Sequence, residues 1–295
     1  MTEPTNPHKT KPKHYLEAAI AYPLFWLVGL LPINWASGLG GWLARTIGPG
    51  LKVSNVARQN LARAFPEKDA DWIEATVKGV WDNLGRTAFE FPGIHKLFSP
   101  GDERVEIVGR EHFELLRDDG RNGLFFSGHQ ANWEITPLFS MLNGLPVSVV
   151  FRRPNNPLIL KLFQSRQLSG QLIPKGAEGA RQAIGVLAKG GHVGLVVDQK
   201  MNDGIKVPFF GRDAMTAPAL ARFALKYDCP VVPTRIERLG GARFRVTFSP
   251  PMEIKRSGDL QTDMLNLMTE VNLLLESWIR ERPSEWFWLH RRWPD

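Results

Sequence analysis

The chain has 295 residues, enough to bury a hydrophobic core as one large domain or as one domain with an appendage. Its 37 basic and 30 acidic residues give a net charge of +7, which suits an anionic partner such as nucleic acid, acidic lipid headgroups or an acidic carrier protein. The single cysteine, Cys229, excludes an internal disulfide and a cysteine-based zinc site, and it is consistent with a reducing compartment.

The N-terminal region joins a basic arm to an uncharged segment. Residues 1–14 contain three prolines and three lysines, and they predict a disordered arm. No charged residue occurs between Glu17 and Arg45. The most apolar part, residues 18–31, is shorter than the roughly 20 residues that a spanning helix needs, and it contains Pro23. An interfacial or membrane-inserted anchor, a transmembrane helix and a buried core helix are the three interpretations. The basic arm favours an anchor on an anionic membrane, with the arm on the cytoplasmic side.

Apolar residues at spacings of three and four predict two amphipathic helices, at 51–65 and 69–97. Within the second, Arg86 and Glu90 lie four residues apart and predict an exposed ion pair, with Arg86 facing a pocket as the alternative.

From about residue 104 the sequence alternates between strands and helices. The predicted strands are 105–108, 124–127, 147–151, 193–197, 231–236 and 244–248. The predicted helices are 110–117, 133–142, 157–168, 178–189, 216–227 and 261–280. This order predicts an α/β fold with a mixed central sheet flanked by helices. The expected organisation is a disordered basic arm at 1–14, a hydrophobic membrane-associating segment at 15–48 and an α/β domain at 49–295.

A histidine and a glutamate follow the apolar strand at 124–127. Gly128 allows a sharp turn, which puts His129 between strand and helix and Glu134 in the first helical turn. A carboxylate on one imidazole nitrogen fixes the tautomer and leaves the other nitrogen free to take a proton from a hydroxyl. We therefore expect the two side chains to meet across the start of the helix as a general-base pair. A histidine that only caps the strand is the alternative.

Further polar residues follow other strands, where ligands of α/β sheets bind. Arg152 and Arg153 precede Pro154, Asn155 and Asn156, and they suggest a site for an anion or sugar hydroxyls, with a basic surface turn as the alternative. Lys175 and Arg181 flank a helix start that could also receive an anion, although helix surfaces are commonly charged. Asp198 and Gln199 form the third polar cluster at a strand end.

Two later segments have competing interpretations. Phe209 and Phe210, on a loop bounded by proline and glycine, suit either the wall of an apolar tunnel or the core. Thr216 suits a helix N-cap better than a substrate contact. Four of the ten tryptophans lie in the last 18 residues among basic residues, which is typical of a membrane-interface belt. Single-stranded nucleic acid is disfavoured, because no nucleic-acid-binding signature accompanies the pattern.

Several blocks in order resemble the bacterial lipid A late acyltransferases, the lauroyl and myristoyl transferase group within the lysophospholipid acyltransferase-like superfamily. The matching blocks are the His-x4-acid motif (HX4E) from His129 to Glu134, the run from Arg153 to Pro157, Asp198-Gln199 with 207–211 and Thr216, Trp288-x-His290-Arg291-Arg292, and the upstream run from Asn60 to Pro66. The resemblance covers roughly residues 15–293.

The resemblance implies a glycerolipid acyltransferase-like fold and an O-acyltransferase at the cytoplasmic face of the cell inner membrane. It would move a fatty acyl chain from acyl carrier protein, or from acyl-CoA, to a hydroxyl of an anionic glycolipid acceptor, without a cofactor, a metal or a covalent intermediate. His129 would be the general base and Glu134 its partner. The residues that would contact substrate are Arg153, Asn156, Lys175, Arg181, Asp198, Gln199, Phe209, Phe210 and Thr216.

Three other functions remain open at the level of sequence. A related acyltransferase could act on a lysophospholipid, an amino-acid-based lipid or a glycosylated lipid. A metal-dependent hydrolase could use His129, Glu134, Asp198 and His192, although no second histidine lies at metal-ligand spacing on one element. A noncatalytic membrane-binding protein would keep the apolar and basic features without assigning any task to His129.

Overall fold

The structure, a computed structural model, describes residues 10–164 and 170–294. Most of the arm predicted at 1–14 and positions 165–168 of the helix predicted at 157–168 therefore lie outside the described residues. The helices are α1 (Pro12–Leu30), α2 (Ile33–Ile47), α3 (Ser54–Ala64), α4 (Ala70–Glu90), α5 (Arg110–Asp118), α6 (Ile135–Leu142), α7 (Pro157–Gln164), α8 (Ala177–Ala188), α9 (Ala219–Tyr227) and α10 (Leu260–Glu281). A 3₁₀ segment, Phe91–Phe98, continues α4.

The strands form one large sheet and one hairpin. They are β1 (Val105–Val108), β2 (Gly123–Ser127), β3 (Val147–Phe151), β4 (Leu172–Pro174), β5 (His192–Val196), β6 (Lys200–Phe209), β7 (Arg212–Thr216), β8 (Val231–Gly240) and β9 (Arg243–Phe248). Seven of them pair in the order β1-β9-β8-β2-β5-β3-β4. The β8–β9 pair is antiparallel and the others in this sheet are parallel. This confirms the predicted α/β class with a mixed central sheet flanked by helices.

Strand β2 lies at the centre of the sheet because its residues are apolar on both faces. Residues 123–126 are all buried, as expected for a strand that helices cover on each side. One hydrophobic core contains Phe126 and packs against α9 and α10. The other contains Phe125 and packs against α5 and α6. The carboxyl end of β2 therefore opens between the two layers.

The N-terminal helices leave much of their apolar surface in solvent. Pro32 separates α1 from α2, and α2 packs closely on α4, where a Cβ on Gly85 would lie 2.1 Å from the Gly40 carbonyl oxygen. Trp35 is 73% exposed and Trp42 is 53% exposed. The other large apolar residues exposed in this region are Tyr15, Leu16, Ile20, Leu24, Trp26, Leu27, Leu30, Leu39 and Ile47. In the described part of the chain, no helix is long and apolar enough to cross a membrane.

The segment predicted as a Pro/Gly-bounded loop at 207–211 is instead part of an antiparallel hairpin, β6–β7. Phe210 and Gly211 both have positive φ, 52° and 68°, as a two-residue hairpin turn requires. The Glu276 carboxylate accepts the Phe210 N–H at 2.5 Å, which holds the unusual backbone in place. The prediction missed the turn because its central residues are not the usual Asn-Gly or Asp-Gly.

The C-terminal tryptophans are core residues, so the predicted membrane belt at this end was wrong. Trp278, Trp286, Trp288 and Trp293 are at most 5% exposed. Three of the indole N–H groups have internal acceptors: a carboxylate for Trp286, the Pro283 carbonyl for Trp288 and the Phe209 carbonyl for Trp293. Because these N–H donors have acceptors inside the protein, the rings can be buried in the core and do not need to lie at a membrane–water interface.

Candidate active site

The turn after β2 brings two strand ends together. A Cβ on Gly128 would lie 3.2 Å from Oδ2 of Asp198 and 3.1 Å from a methyl group of Leu275. Glycine at this position therefore lets Asp198, which follows β5, come close to the backbone beyond β2. Since β2 and β5 are neighbouring parallel strands, residues that follow them reach the same edge of the sheet.

His129 and Asp198 form a two-point contact at this edge. Nδ1 of His129 lies 2.7 Å from Oδ1 of Asp198, and the His129 backbone N–H donates to Oδ2 at 2.6 Å. The indole N–H of Trp286 also donates to Oδ2, at 2.6 Å. A ring whose Nδ1 faces a carboxylate carries its proton there, which leaves Nε2 free to accept one.

The electrostatics keep Asp198 ionised although it is completely buried. Burial acts to raise its pKa, but the His129 imidazole and the hydrogen bonds to it outweigh that effect, and the pKa lies well below its ordinary value. A permanent negative charge beside Nδ1 stabilises the imidazolium that forms when His129 takes a proton.

Glu134 does not make the contact with His129 that its spacing predicted. Within the described ranges no hydrogen bond joins the two side chains; Glu134 instead accepts the Trp133 indole N–H at 3.1 Å. Asp198 takes the place on Nδ1 because it arrives from the adjacent strand. A contact between residues 69 positions apart cannot be deduced from spacing within one motif.

The Glu134 carboxyl group lies in the wall of a cavity with His129. Burial raises its pKa, and the Trp133 hydrogen bond and the nearby His129 only partly oppose that rise. Two carboxyl groups with opposite pKa shifts therefore interact electrostatically with one histidine, which is a common property of acid–base sites.

Residues near the C-terminal end hold the segment from His129 to Glu134 in place. The Phe287 N–H donates to the His129 carbonyl at 3.0 Å, and the Ala131 N–H donates to the Glu285 carbonyl at 3.0 Å. Ala131 has a φ of 47°, so its backbone is in the left-handed region that non-glycine residues rarely occupy. These two backbone bonds, one from Ala131 itself and one to His129, help to hold Ala131 in that conformation.

A buried polar network supports the same segment from α4. Glu90 accepts Asn132 Nδ2 at 2.8 Å and Arg238 Nη1 at 2.5 Å, and the Asn132 side chain in turn accepts the Glu134 N–H at 3.3 Å. The ion pair between Arg86 and Glu90 expected from their spacing was wrong: Arg86 pairs with Asp82. Glu90 is fully buried and reaches β8 instead, which connects α4 and the sheet to the motif.

A cavity of about 640 Å³ opens beside His129 and Glu134. It runs between α6 and the face of the sheet formed by β2, β5 and β3. Its volume lies within the range of sites for small molecules and cofactors. The walls are mostly apolar, and the exposed side chains of Arg152, Gln171 and Lys175 lie at the mouth. Besides His129, Trp133 and Glu134, the other polar lining residues are Ser127, Thr136, Ser140, Gln199 and Thr234.

Some of the substrate-contacting residues predicted from sequence line this cavity. Lys175 and Gln199 line it and bond to each other, Nζ to Oε1, at 2.6 Å. Burial lowers the pKa of Lys175, with Asp198 acting against that change. Arg152 lines the cavity as well, although the sequence favoured its neighbour Arg153, which is exposed and lies outside the lining.

Other predicted residues are found elsewhere. Asn156 is buried and donates to the His14 carbonyl and the Glu17 carboxylate, so it ties α1 to the loop after β3. Arg181 is exposed on α8 and does not line the cavity.

Phe209, Phe210 and Thr216 support the C-terminal segment and do not line the cavity. Arg292, which is completely buried, donates to Thr216 Oγ1 at 2.8 Å and lies over the Phe209 ring. Burial lowers the pKa of Arg292 to about 10. Arg292 and Thr216 both belong to the blocks that carry the family resemblance, but their contact and the Trp286 bond to Asp198 could not be predicted, since both are long-range.

In the ranges that the structure describes, no group of three or more histidine, cysteine, aspartate or glutamate side chains is placed to hold a metal ion. His129, Glu134, Asp198 and His192, the ligands of the metal-hydrolase alternative, therefore do not form such a group.

The sequence matches the family of bacterial lipid A biosynthesis acyltransferases over residues 4–295. It is similar to a lipid A biosynthesis acyltransferase of Haemophilus influenzae, at 23% identity over 89% of this chain and 83% of the relative. It is also similar to the lipid A biosynthesis palmitoleoyltransferase of Escherichia coli, at 24% identity over 91% of this chain and 88% of the relative.

A third relative is named for a different acceptor. The phosphatidylinositol mannoside acyltransferase of Mycolicibacterium smegmatis is 23% identical over 72% of this chain and 73% of its own length.

Proposed function

Because this chain belongs to the bacterial lipid A biosynthesis acyltransferase family and is an O-acyltransferase, we propose that it transfers a fatty acyl chain to a hydroxyl of a lipid A precursor, with His129 as general base. The observation that carries the proposal is the bond between His129 Nδ1 and the ionised Asp198, beside an apolar cavity. Such an arrangement leaves Nε2 as the proton acceptor.

In the proposed reaction the acceptor hydroxyl gives its proton to Nε2 of His129 as its oxygen attacks the thioester carbonyl of the donor. A carbon–oxygen bond forms, the carbon–sulfur bond breaks, and the proton passes to the leaving thiolate. A positioned base of this kind contributes roughly 10²–10⁴-fold to the rate. No covalent acyl-enzyme is needed, since the substrate supplies the nucleophile.

The two carboxyl groups have different tasks in this proposal. Asp198 takes over the orienting role that the sequence assigned to Glu134, because it is the group bonded to Nδ1. Glu134 remains a candidate catalytic residue on the cavity side of the imidazole. Its raised pKa suits a carboxyl group that is neutral for part of the cycle and can then donate a hydrogen bond to a substrate oxygen.

The cations at the cavity mouth suit anionic substrates. Arg152 and Lys175 line the mouth, and Arg153 is exposed next to them. They could bind phosphate of the glycolipid acceptor or help to stabilise the charge that develops on the thioester oxygen. The net charge of +7 is compatible with an acidic acyl carrier protein as donor, with acyl-CoA as the other candidate.

We assign the exposed apolar face of α1 and α2 to the membrane surface. Indole rings and aliphatic side chains on two adjoining helices suit interfacial insertion, in which a helix lies in the headgroup region. Interfacial anchoring at the cytoplasmic face of the inner membrane would present a lipid acceptor to the nearby site. Tyr22, whose hydroxyl donates to the Leu158 carbonyl, and Asn156 both attach α1 to the segment beyond β3.

Mass spectrometry of lipid A from cells with and without the gene tests the acceptor. Loss of one acyl chain in the deletion strain, restored by the wild-type gene and not by His129→Ala, is the expected result. An unchanged lipid A profile would reject lipid A as acceptor. Acyl transfer that survives His129→Ala in the purified enzyme would reject the general-base mechanism.

A glycosylated phospholipid is the second candidate acceptor. The similarity to the phosphatidylinositol mannoside acyltransferase favours it over a lysophospholipid or an amino-acid-based lipid. Profiling the total lipid extract of the same strains distinguishes the two, because each predicts the loss of an acyl chain from a different lipid.

A further inference from the structure

One glycine interrupts the wall of side chains that lines the cavity. The sheet register aligns Phe125 of β2, Gly194 of β5, Val149 of β3 and Leu172 of β4 in a single row across four parallel strands. All four line the cavity. Because paired residues of a parallel sheet project from the same face, Gly194 leaves a gap in this row between a phenylalanine and a valine.

The gap is continuous with the cavity. Gly194 is only half-buried although β5 lies in the interior of the sheet, between β2 and β3. A Cβ at this position would lie 3.1 Å from Cγ1 of Val147 and 3.4 Å from Cγ1 of Val149. Both valines line the cavity, so even one added carbon would crowd its wall.

The Gly194 row lies deeper in the cavity than the candidate catalytic residues. Ser127, the last residue of β2, is two residues beyond Phe125 along the strand, about 7 Å at the usual rise of a parallel strand. His129 follows Ser127. An acyl chain whose thioester lies at His129 therefore has to pass the Gly194 row to reach the inner lining formed by Val147 and Ser140.

We propose that Gly194 determines which acyl chains the enzyme accepts, by leaving room for the chain between Phe125 and Val149. This inference rests on the proposed acyl transfer and goes beyond it, because it names the residue whose small size lets long acyl chains enter the cavity. Short acyl chains end before they reach the row that contains Gly194, so they do not need the space at that position. Longer chains enter it, and a side chain at position 194 excludes them.

The test uses the purified full-length enzyme and a series of saturated acyl donors from octanoyl to palmitoyl. For Gly194→Val the rate with palmitoyl relative to octanoyl falls by about tenfold or more compared with wild type, since the fit of a few methylene groups is worth that much in an apolar pocket. Gly194→Ala shows a smaller shift in the same direction. Valine suits a strand, so the variant keeps a residue type that β5 accommodates.

Gly185→Ala on α8 is the matched control, because an added Cβ there meets no atom within 4 Å, and it leaves the preference unchanged. If wild type and Gly194→Val, each with a cooperative unfolding transition, give the same chain-length profile, the proposal for Gly194 is wrong while acyl transfer itself stands. If wild type transfers none of the chains to any lipid acceptor, the proposed function fails instead.

Discussion

At the scale of single residues, the site depends on which carboxyl group holds the imidazole. Asp198 makes two hydrogen bonds to His129, one to the backbone and one to the ring, while Glu134 makes none in the described chain. Spacing along the sequence joins His129 to Glu134, but the carboxylate bonded to the ring belongs to Asp198, which follows another strand. The two carboxyl groups should therefore differ in their effects when they are replaced.

Asp198→Asn should lower kcat by about 10²-fold or more with a smaller change in KM. An asparagine amide that donates to Nδ1 would hold the wrong tautomer, as replacing the aspartate of a catalytic triad does. The measurement is steady-state acyl transfer with the acyl donor varied. Asp213→Asn, at an exposed position on β7, is the control and should behave like wild type. Equal kcat values for Asp198→Asn and wild type would contradict the assignment.

Glu134→Gln should stabilise the protein above neutral pH. A carboxyl group whose pKa is raised on folding binds its proton more tightly in the folded state, so its contribution to stability is present at low pH and is lost as pH rises through the folded pKa. Glutamine imitates the neutral form and does not titrate. The Tm of the variant should exceed that of wild type by more at pH 8 than at pH 4. If the difference in Tm between the variant and wild type does not change with pH, the ionised Glu134 carboxylate does not destabilise the folded protein.

At the scale of elements, α4 supports the segment from His129 to Glu134 through several buried polar side chains, and one of them, Glu90, forms a buried ion pair with Arg238. Arg238→Met leaves the Glu90 carboxylate buried without its partner, and it should cost about 3–5 kcal/mol in the free energy of unfolding. Glu90 also holds Asn132, so activity should fall too. Denaturant unfolding and acyl transfer measure the two effects.

Arg245→Met is the comparison for that prediction. Arg245 forms an ion pair with Glu106 on the surface, and losing such a pair should cost no more than about 1 kcal/mol. Adding Glu90→Gln to Arg238→Met should recover part of the stability, because it removes the unpaired charge. If Arg238→Met and Arg245→Met lower the free energy of unfolding by similar amounts, the buried ion pair contributes no more to stability than the surface pair.

The elements themselves were largely predictable, and the contacts among them were not. The hydrophobic pattern located β2 and α10 within one or two residues: β2 by an apolar run that is buried on both faces, and α10 by apolar residues that recur on one face. The hairpin β6–β7 was not predicted, since its turn depends on the hydrogen bond that the Phe210 N–H donates to Glu276, a residue on the distant helix α10. At the candidate site, His129 and Asp198 both follow strand ends as expected, whereas the bonds of Asp198 to His129 and Trp286 and the place of Gly194 between β2 and β3 depend on contacts between distant parts of the chain.

At the scale of the whole molecule, the exposed apolar face of α1 and α2 contains none of the candidate catalytic residues. Replacing both Trp35 and Trp42 by glutamate should weaken binding to vesicles that contain anionic lipid, since their rings are exposed. Activity toward a detergent-dispersed acceptor should stay within about twofold of wild type, as expected for surface substitutions that leave the fold intact. Vesicle co-sedimentation and the detergent assay are the two measurements.

Trp278, which is buried against Phe126 in the core, provides the contrast. Trp278→Glu should unfold the protein rather than release it selectively from vesicles. If the double variant binds vesicles as wild type does, another surface carries the membrane contact.

The bonds that join residues 285–287 to Asp198 and to the segment from His129 to Glu134 also determine when the candidate site can first form. Trp286 is translated after His129 by 157 positions, which at bacterial elongation rates is a delay of roughly 8–30 s. During that interval α1 and α2 have already emerged, while Asp198 still lacks its indole donor and the His129 carbonyl lacks the Phe287 N–H. A nascent chain can thus expose the apolar face of α1 and α2 before His129 is held in position. The proposed acyl transfer would then begin only after residues 285–287 have been added to the chain and have folded onto the site.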